Sequence, residues 1–332
     1  MHRCPILLGI SIVVLGNGVL LAAETVPSKL PPLSEVKVTS TLDGTQQPSL
    51  LWASKTATTK PTPLLVFLHS WSGNYKQNNS AWQAEAVSRG WIYLHPDFRG
   101  RNDHPEACGS QLARRDILDA VDYVIKRYNV DQSRLYLAGA SGGGHMSMLM
   151  AGHHPERFSA VSAWVGISDL AAWHRFHTKD GKPGRYAQML EASVGGAPGS
   201  SDKVDAELRD RSPIFHLQRA KGVPIRFSAG ATDGFTGSVP TTHSLNAFNV
   251  LARANKTLPI PAETVEKLWN TRGLLAAKAE AFEVDPVYQR KVFFERTAGP
   301  AEVTLFDGGH EGLSAPAASW LATKVRATRG QD

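Results

Sequence analysis

Cysteine is nearly absent from this chain, which has 332 residues but only two cysteines, Cys4 and Cys108. Cys4 lies in the apolar N-terminal stretch, so a mature chain without that stretch keeps a single thiol. One thiol excludes an intramolecular disulfide framework and the paired cysteines of a zinc finger. The fold must therefore rely on a hydrophobic core, which a chain with 42% hydrophobic residues can build.

Long runs of one charge are also missing. Lysine and arginine number 36 against 30 acidic residues, and the resulting net charge of +6 is spread along the chain. The sequence contains neither a zinc-finger spacing nor the aromatic signature of an RNA-binding domain. These absences argue against a nucleic-acid partner and make the positive charge a matter of solubility.

Apolar runs that would cross a membrane are lacking after residue 23. Before it, Met1–Arg3 is a short basic start, Pro5–Leu21 is an apolar run, and Ala22 and Ala23 are small. This order is typical of a secretory signal peptide cut before Glu24. The alternative is an uncleaved anchor, because the run is close to the lower length of a span. We predict a signal peptide over residues 1–23 and a secreted or periplasmic domain over 24–332.

The chain does contain a serine between glycines at the junction of a strand and a helix. Leu135–Ala138 is an apolar run typical of a buried strand, and His145–Ala151 is typical of a helix. Between them, Gly139–Gly143 fits the pattern G-x-S-x-G around Ser141. Glycines two residues before and after the serine let the strand and the helix approach closely. A plain tight turn is the alternative, but the flanking strand and helix favour an exposed nucleophile.

Strand and helix patterns alternate along the chain, without an internal repeat or a linker inside residues 35–326. A hairpin is predicted at Asp43-Gly44, and two insertions, 170–222 and 252–290, form either a cap over the site or helices on the flank. The alternation predicts an α/β fold with a mainly parallel central sheet and helices on both faces. The main predicted elements are strands at Leu64–Leu68, Trp91–Leu94, Ala160–Val165, Pro224–Ser228 and Glu302–Phe306, and helices at Ser80–Ser88 and Asp116–Tyr128.

A serine nucleophile needs a base, and the base needs a group that orients it. Asp233 follows the predicted strand Pro224–Ser228, and His310 follows the strand Glu302–Phe306 between glycines. Carboxyl ends of parallel strands gather at one edge of a sheet. The order Ser141, Asp233, His310 is also that of nucleophile, acid and base in α/β-hydrolases. We predict these three residues as a catalytic triad.

Other acidic and histidine residues compete for these roles. Asp169 follows the strand after the nucleophile and is the second candidate for the acid, whereas Asp307 is too close in sequence to the predicted base. His145 lies one helical turn beyond the serine and is expected to pack, and His153 and His154 are expected to be solvated at a helix end.

A metal site is not predicted. His95, Asp97 and His104 match no strong ligand spacing. The expected chemistry needs no metal and no cofactor.

Two N–H donors are required for the negative charge that develops on a carbonyl oxygen. One is expected from Gly142, the residue after the nucleophile. The other is expected from the loop after Leu64–Leu68, which reads His69-Ser-Trp-Ser-Gly73. By its position, Trp71 supplies its backbone N–H and places its indole over the acyl pocket.

These residues resemble the α/β-hydrolase superfamily over most of the chain from Val36 onward. More narrowly, the chain resembles the catalytic domain of the prolyl oligopeptidase family, without the β-propeller of its large members. The C-terminal Gly308–Gly312 is also similar to secreted feruloyl esterase and poly-hydroxybutyrate depolymerase-like enzymes. The motifs that carry the family resemblance are Pro96-Asp-Phe-Arg-Gly100, Asp116-Ile-Leu-Asp-Ala-Val-Asp-Tyr123, Gly139–Gly143, Pro155-Glu-Arg-Phe158, Gly166-Ile-Ser-Asp-Leu170, Arg211-Ser-Pro213, Val239-Pro240 and His243-Ser244.

The resemblance implies a serine hydrolase, for which three hypotheses follow. The first is an exported enzyme that cleaves carboxylic esters, with carbohydrate acyl or feruloyl esters as the small-molecule or glycan substrate. The second is a peptidase that acts on short peptides. The third is an inactive hydrolase fold used for binding, against which the intact serine, aspartate and histidine set argues.

Overall fold

A twisted sheet forms the centre of the protein, whose computed structural model describes residues 30–275 and 278–327. The strands are β1 (Ser34–Thr39), β2 (Gln46–Trp52), β3 (Thr62–Leu68), β4 (Ile92–Pro96), β5 (Val130–Ala140), β6 (Ala160–Trp164), β7 (Thr178–Lys179), β8 (Lys182–Pro183), β9 (Ile225–Gly230), β10 (Val284–Asp285), β11 (Arg290–Ala298) and β12 (Ala301–Phe306).

Ten of these strands, among the described residues, form one sheet in the order β1-β2-β4-β3-β5-β6-β9-β12-β11-β10, and β7 pairs with β8. The neighbours from β4 to β12 are parallel. The outer pairs are antiparallel. The predicted mainly parallel α/β sheet is therefore confirmed.

Helices cover both faces of this sheet. They are α1 (Ser80–Ser88), α2 (Gln111–Arg127), α3 (Gly142–His153), α4 (Leu170–Phe176), α5 (Arg185–Val194), α6 (Asp202–Asp210), α7 (Thr242–Ala254), α8 (Ala262–Asn270) and α9 (Ser314–Ala322). α1 packs against α9 on one face, while α3 and α7 meet at the short turn Leu217–Ala220 on the other. This division follows from right-handed crossovers that run in opposite directions from the middle of the sheet.

The middle strands are apolar because helices cover both of their faces. Every residue of β3 is buried, as is every residue of β6. In β5 the buried portion is Leu135–Gly139, next to the serine. This core fixes the strand ends from which the candidate site residues project.

The hairpin of β1 and β2 turns at the predicted Asp43-Gly44. Gly44 has a φ of +77°, which favours glycine, and its N–H donates to the carbonyl of Ser40 at 2.9 Å. Toward the other edge, β11 and β12 pair antiparallel, with a bulge between Val292 and Phe294.

Helix α2 begins earlier than the sequence pattern predicts. The prediction placed its start at Asp116, but Ser110 caps the helix by accepting a hydrogen bond from Ala113 N–H at 3.1 Å. Asp116 is buried one turn inside and pairs with the guanidinium of Arg99 at 2.5 Å. Burial raises the pKa of Asp116, and the hydrogen bond from Arg99 opposes this rise. Asp116, the predicted first residue of this helix, is therefore part of an ion pair inside it.

The two insertions both reach the edge of the sheet where the predicted site residues lie. Residues 170–222 contribute α4, α5 and α6, which pack with Trp71 and Cys108 in a second hydrophobic cluster. Residues 252–290 contribute α8, whose Trp269 lies against Gly234. Each insertion thus contacts a loop that follows a central strand.

The predicted signal peptide, residues 1–23, lies outside the described residues. Within residues 30–275 and 278–327, no helix combines the length and the apolar character that crossing a membrane requires.

Candidate active site

Ser141 occupies a sharp turn between β5 and α3. Its φ of 58° and ψ of −119° are unusual for a residue with a side chain. The turn is held by a hydrogen bond from Ser141 N–H to the carbonyl of Trp164 at 2.9 Å. A Cβ on Gly139 would lie 2.4 Å from the carbonyl group of Gly143, so the predicted need for glycine on both sides has a steric cause. The turn presents the serine hydroxyl at the carboxyl edge of the sheet.

His310 and Asp233 meet this hydroxyl from two other loops at the same edge. His310 Nε2 lies 2.8 Å from Ser141 Oγ, and His310 Nδ1 lies 2.7 Å from Asp233 Oδ2. Because a carboxylate only accepts hydrogen bonds, Nδ1 carries the proton and Nε2 offers its lone pair to the serine. The three predicted residues are thus joined in series, an arrangement that can activate a hydroxyl as a nucleophile.

Asp233 is fully buried, with 0% of its surface exposed. Its Oδ1 accepts hydrogen bonds from the backbone N–H groups of Gly234 at 2.9 Å and Val239 at 3.1 Å. The other oxygen faces the imidazole. These bonds fix the plane of the carboxylate and leave Oδ2 to orient the His310 ring.

The backbones of Trp71 and Gly142 are in contact beside the serine. A Cβ on Gly142 would lie 2.3 Å from the backbone nitrogen of Trp71. The carbonyl of Trp71 accepts a hydrogen bond from Asn102 N–H at 3.0 Å, which holds this peptide in place. Within the described ranges, the Trp71 N–H finds no hydrogen-bond acceptor. The two predicted oxyanion donors therefore lie next to each other at the nucleophile.

The indole of Trp71 lies in the wall of the site. Its side chain is only 2% exposed, with ring-centroid distances of 4.6 Å to Trp173 and 5.8 Å to His145. Trp173 of α4 packs against this indole in the second hydrophobic cluster. Trp71 also lines the pocket at the serine, and its place over the acyl group stays a prediction.

The pocket at the serine has a volume of about 290 Å³. Besides Ser141 and His310, its walls include Trp71, Val165, Tyr186 and Glu311. Tyr186 comes from the insertion 170–222, so this segment contributes to the binding surface as well as packing on the flank. A larger cavity, of about 840 Å³, lies at the amino ends of β5 and β9 and ends at Ala327, beyond which the structure is not described. Catalytic groups of parallel sheets gather at the opposite edge.

The competing residues have other contacts. Asp169 caps α4 by accepting from Ala172 N–H at 2.9 Å, and Asp307 is exposed. His145 is buried, and its Nε2 donates to the carbonyl of Arg211 at 2.8 Å.

His153 contradicts the expectation of a solvated ring, because only 14% of its side chain is exposed. His154 keeps 31% of its side chain exposed and is partly solvated. α6 packs beside this helix end, where Arg114 donates to His153 Nε2 at 3.1 Å and pairs with Asp210 at 2.9 Å. Burial, together with the charge of Arg114, lowers the pKa of His153 to about 4.

Residues of the types that bind metals occur in two places in the described structure. His95 Nδ1 donates to the carbonyl of Phe67 at 2.7 Å, and His104 Nε2 donates to the carbonyl of Arg99 at 2.9 Å. Each ring therefore uses one of its nitrogens in a hydrogen bond to the backbone. His153, Asp210 and His216 have ligand atoms within 4.8 Å of one another. The guanidinium of Arg114 already supplies the positive charge there.

Gly237 and Ser238 belong to the site but were not singled out from the sequence. A Cβ on Gly237 would lie 2.2 Å from Asp233 Oδ1 and 2.6 Å from His310 Cβ. Ser238 Oγ lies 3.3 Å from His310 Nε2. The one sequence signal is a glycine within a few residues of the predicted acid, which is common in loops.

Fold and site together define a serine hydrolase with the α/β-hydrolase fold. Residues 77–267 match the family model described as the prolyl oligopeptidase family. The chain therefore belongs to that family.

Relatives with two kinds of activity resemble the chain. The acylamino-acid-releasing enzyme 1 of Oryza sativa subsp. japonica is 28% identical over 58% of this chain and 26% of its own length. Feruloyl esterase B of Neurospora crassa is 33% identical over 33% of this chain and 40% of its own length. The chain thus spans well under half the length of either relative.

Solved structures share the fold at low sequence identity. The acylaminoacyl peptidase of Pyrococcus horikoshii superimposes with a TM-score of 0.62 at 15% identity, covering 92% of this chain and 44% of that chain. Oligopeptidase B from Leishmania major gives a TM-score of 0.59 at 13% identity, covering 87% of this chain and 35% of that chain.

Proposed function

We propose that this serine hydrolase cleaves carboxylic esters, with Ser141 as nucleophile, His310 as general base and acid, and Asp233 as the orienting carboxylate. The observation that carries the proposal is the continuous series of hydrogen bonds, 2.8 Å from serine to histidine and 2.7 Å from histidine to aspartate. Ser141 and His310 line a pocket, and the backbone N–H groups of Trp71 and Gly142 lie beside the serine.

The first half of the reaction forms an acyl-enzyme. Ser141 Oγ attacks the ester carbonyl carbon while His310 Nε2 takes the hydroxyl proton. The resulting oxyanion accepts hydrogen bonds from the backbone N–H groups of Trp71 and Gly142. When the intermediate collapses, the proton on Nε2 passes to the oxygen of the leaving alcohol.

The second half releases the acid. Nε2 takes a proton from water, and the hydroxide oxygen attacks the acyl carbon. Collapse of the second intermediate returns the proton to Ser141 Oγ and frees the carboxylic acid. Asp233 keeps the imidazole in one orientation through both halves because its own position is fixed by two backbone donors.

The pocket favours an ester substrate over a peptide held by its amino terminus. A peptide amino terminus carries a positive charge and needs acidic groups to bind it. Glu311 is the single carboxylate among the described residues of the pocket wall, and it already lies 3.9 Å from the guanidinium of Arg290. The match to feruloyl esterase B supports aryl or acyl esters of carbohydrates as the substrate class. The basic and then apolar order of residues 1–23 supports export, which an N-terminus at Glu24 in the mature protein would test.

Peptide hydrolysis is the second candidate function. Its support is the family match and the similarity to acylamino-acid-releasing enzymes. The same triad would then release an amine in place of an alcohol.

Turnover of p-nitrophenyl acetate, compared with aminoacyl and prolyl anilides, tests the choice between the two. We expect a burst of nitrophenol, efficient ester turnover and little amide turnover. A panel of acetylated and feruloylated glycans then defines the acyl group. Amide turnover as efficient as ester turnover would replace the esterase proposal with the peptidase.

Covalent labelling with a fluorophosphonate tests the nucleophile. Ser141→Ala should abolish labelling and turnover. Ser72→Ala is the matched control for labelling, because Ser72 lines the same pocket and its loss should leave Ser141 reactive with the fluorophosphonate. Equal labelling of wild type and Ser141→Ala would exclude the assigned nucleophile.

A further inference from the structure

The segment from Asp233 to Val239, here called the acid loop, brings a second hydroxyl to the catalytic histidine. Ser238 Oγ lies 3.3 Å from His310 Nε2, the nitrogen that is 2.8 Å from Ser141 Oγ. Two hydroxyls therefore share one ring nitrogen. Only Ser141 follows the glycine-flanked strand end of a nucleophile, so Ser238 needs a different role.

The backbone of Ser238 is held independently of its side chain. Its carbonyl accepts hydrogen bonds from Trp173 Nε1 at 2.8 Å and from His177 Nε2 at 2.8 Å. Burial lowers the pKa of His177, which favours a neutral ring that donates through Nε2. On the other side, Val239 N–H donates to Asp233. The insertion 170–222 and the carboxylate thus place the Ser238 hydroxyl at the imidazole.

The hydrogen-bonding capacity of Nε2 changes during the reaction proposed above. In the resting state its single lone pair accepts from Ser141, because Nδ1 carries the ring proton. After the proton has left Ser141, Nε2 becomes a donor and the ring carries a positive charge. A hydroxyl can accept as well as donate, so Ser238 Oγ can bond to this new N–H. Such a bond favours the charged ring.

We propose that Ser238 is a positioning residue whose hydroxyl accepts a hydrogen bond from the protonated Nε2 of His310. The inference rests on the proposed function, since it assigns a role within that catalytic cycle. The proton itself stays on Nε2 until the leaving group takes it, and Ser238 gains and loses no covalent bond. Asp233 is the charged group paired with the ring, and the residue after His310, Glu311, lies 3.9 Å from the guanidinium of Arg290.

Ser238→Ala is a clean test because it removes the hydroxyl and keeps the carbonyl that Trp173 and His177 hold. We expect kcat for p-nitrophenyl acetate to fall roughly fivefold with little change in KM. The acid limb of the kcat/KM profile should move to lower pH by roughly 0.5, because the protonated ring loses a stabilising acceptor. Ser238→Thr, which retains a hydroxyl, should restore both quantities.

Thr236→Ala is the matched control on the same loop. Thr236 Oγ1 lies 3.2 Å from Thr232 Oγ1, so its loss should leave kcat and the pH profile unchanged. Melting curves ensure that all variants are folded at the assay temperature.

Four results would overturn the inference. An unchanged kcat and pH profile in Ser238→Ala would do so, as would an equal loss in Ser238→Thr or Thr236→Ala, since that marks a packing effect. If the wild type shows no Ser141-dependent turnover, the proposed function fails and the inference falls with it. Ser141-dependent turnover together with a neutral Ser238→Ala rejects the inference alone.

Discussion

Asp233→Asn is the substitution whose effect the structure defines best. It removes one charge and hardly changes the side-chain volume. Oδ1 accepts hydrogen bonds from the N–H groups of Gly234 and Val239. The amide oxygen of asparagine must take this place, because an NH2 group would face two donors there. The NH2 group then faces His310 Nδ1.

An NH2 group donates, so Nδ1 must become an acceptor and the ring proton moves to Nε2. Nε2 then has no lone pair for the hydroxyl of Ser141. We expect kcat for p-nitrophenyl acetate to fall roughly 10⁴-fold, as expected for the wrong histidine tautomer. This corresponds to about 5.5 kcal/mol of barrier. Because the substrate does not touch Asp233, KM should change little.

The assay compares three Asp→Asn variants under steady-state conditions. Asp169→Asn should keep kcat within about twofold, because asparagine caps a helix as well as aspartate does. Asp307→Asn changes an exposed side chain and should also be neutral. More than about a tenth of wild-type kcat in Asp233→Asn, or a collapse in either control, would refute the assignment of the acid.

Three further results are expected. Gly142→Ala places a Cβ 2.3 Å from the Trp71 nitrogen, so the two backbones must separate and kcat should fall roughly 100-fold; wild-type kcat would place the oxyanion elsewhere. Gly237→Ala places a Cβ 2.6 Å from His310 Cβ and should lower kcat by roughly 100-fold, with a folded melting curve; full activity would contradict this geometry. The melting temperature should fall as the pH drops from 6.5 to about 4. Over this range the buried histidines take up protons in the unfolded chain but stay neutral in the folded one, so protonation favours unfolding. A melting temperature that does not change over this range would contradict the prediction. The buried histidines concerned, whose pKa burial lowers to about 4, are His95, His145 and His243.

Local patterns and strand ends could be predicted from the sequence. Ser141 can be identified from the sequence because the glycines that its sharp turn requires lie within two residues of it. Asp233 and His310 can be predicted to lie close together because the carboxyl ends of parallel strands meet at one edge of a sheet, and this does not depend on how the side chains pack. The structure brings all three within hydrogen-bond distance.

Features that depend on distant packing could not be predicted. The sequence predicts Asp116 as the first residue of a helix, but its burial depends on Arg99, which lies in a loop whose path the sequence does not define. The same applies to His153, where Asp210 arrives from the insertion. Gly237 and Ser238 matter only because the acid loop folds back over the imidazole, which no local pattern indicates.

Because the backbones of Trp71 and Gly142 are in contact, the spacing of these two proposed oxyanion donors depends on the register of the strands that precede them. Leu68 pairs with Gly139 at the ends of β3 and β5, and the two loops diverge from that rung. A slip of one rung would displace one donor from the other by roughly 3.3 Å, more than the length of the bond each must make. During refolding, the recovery of catalytic turnover would therefore indicate when β3 and β5 have reached their native register.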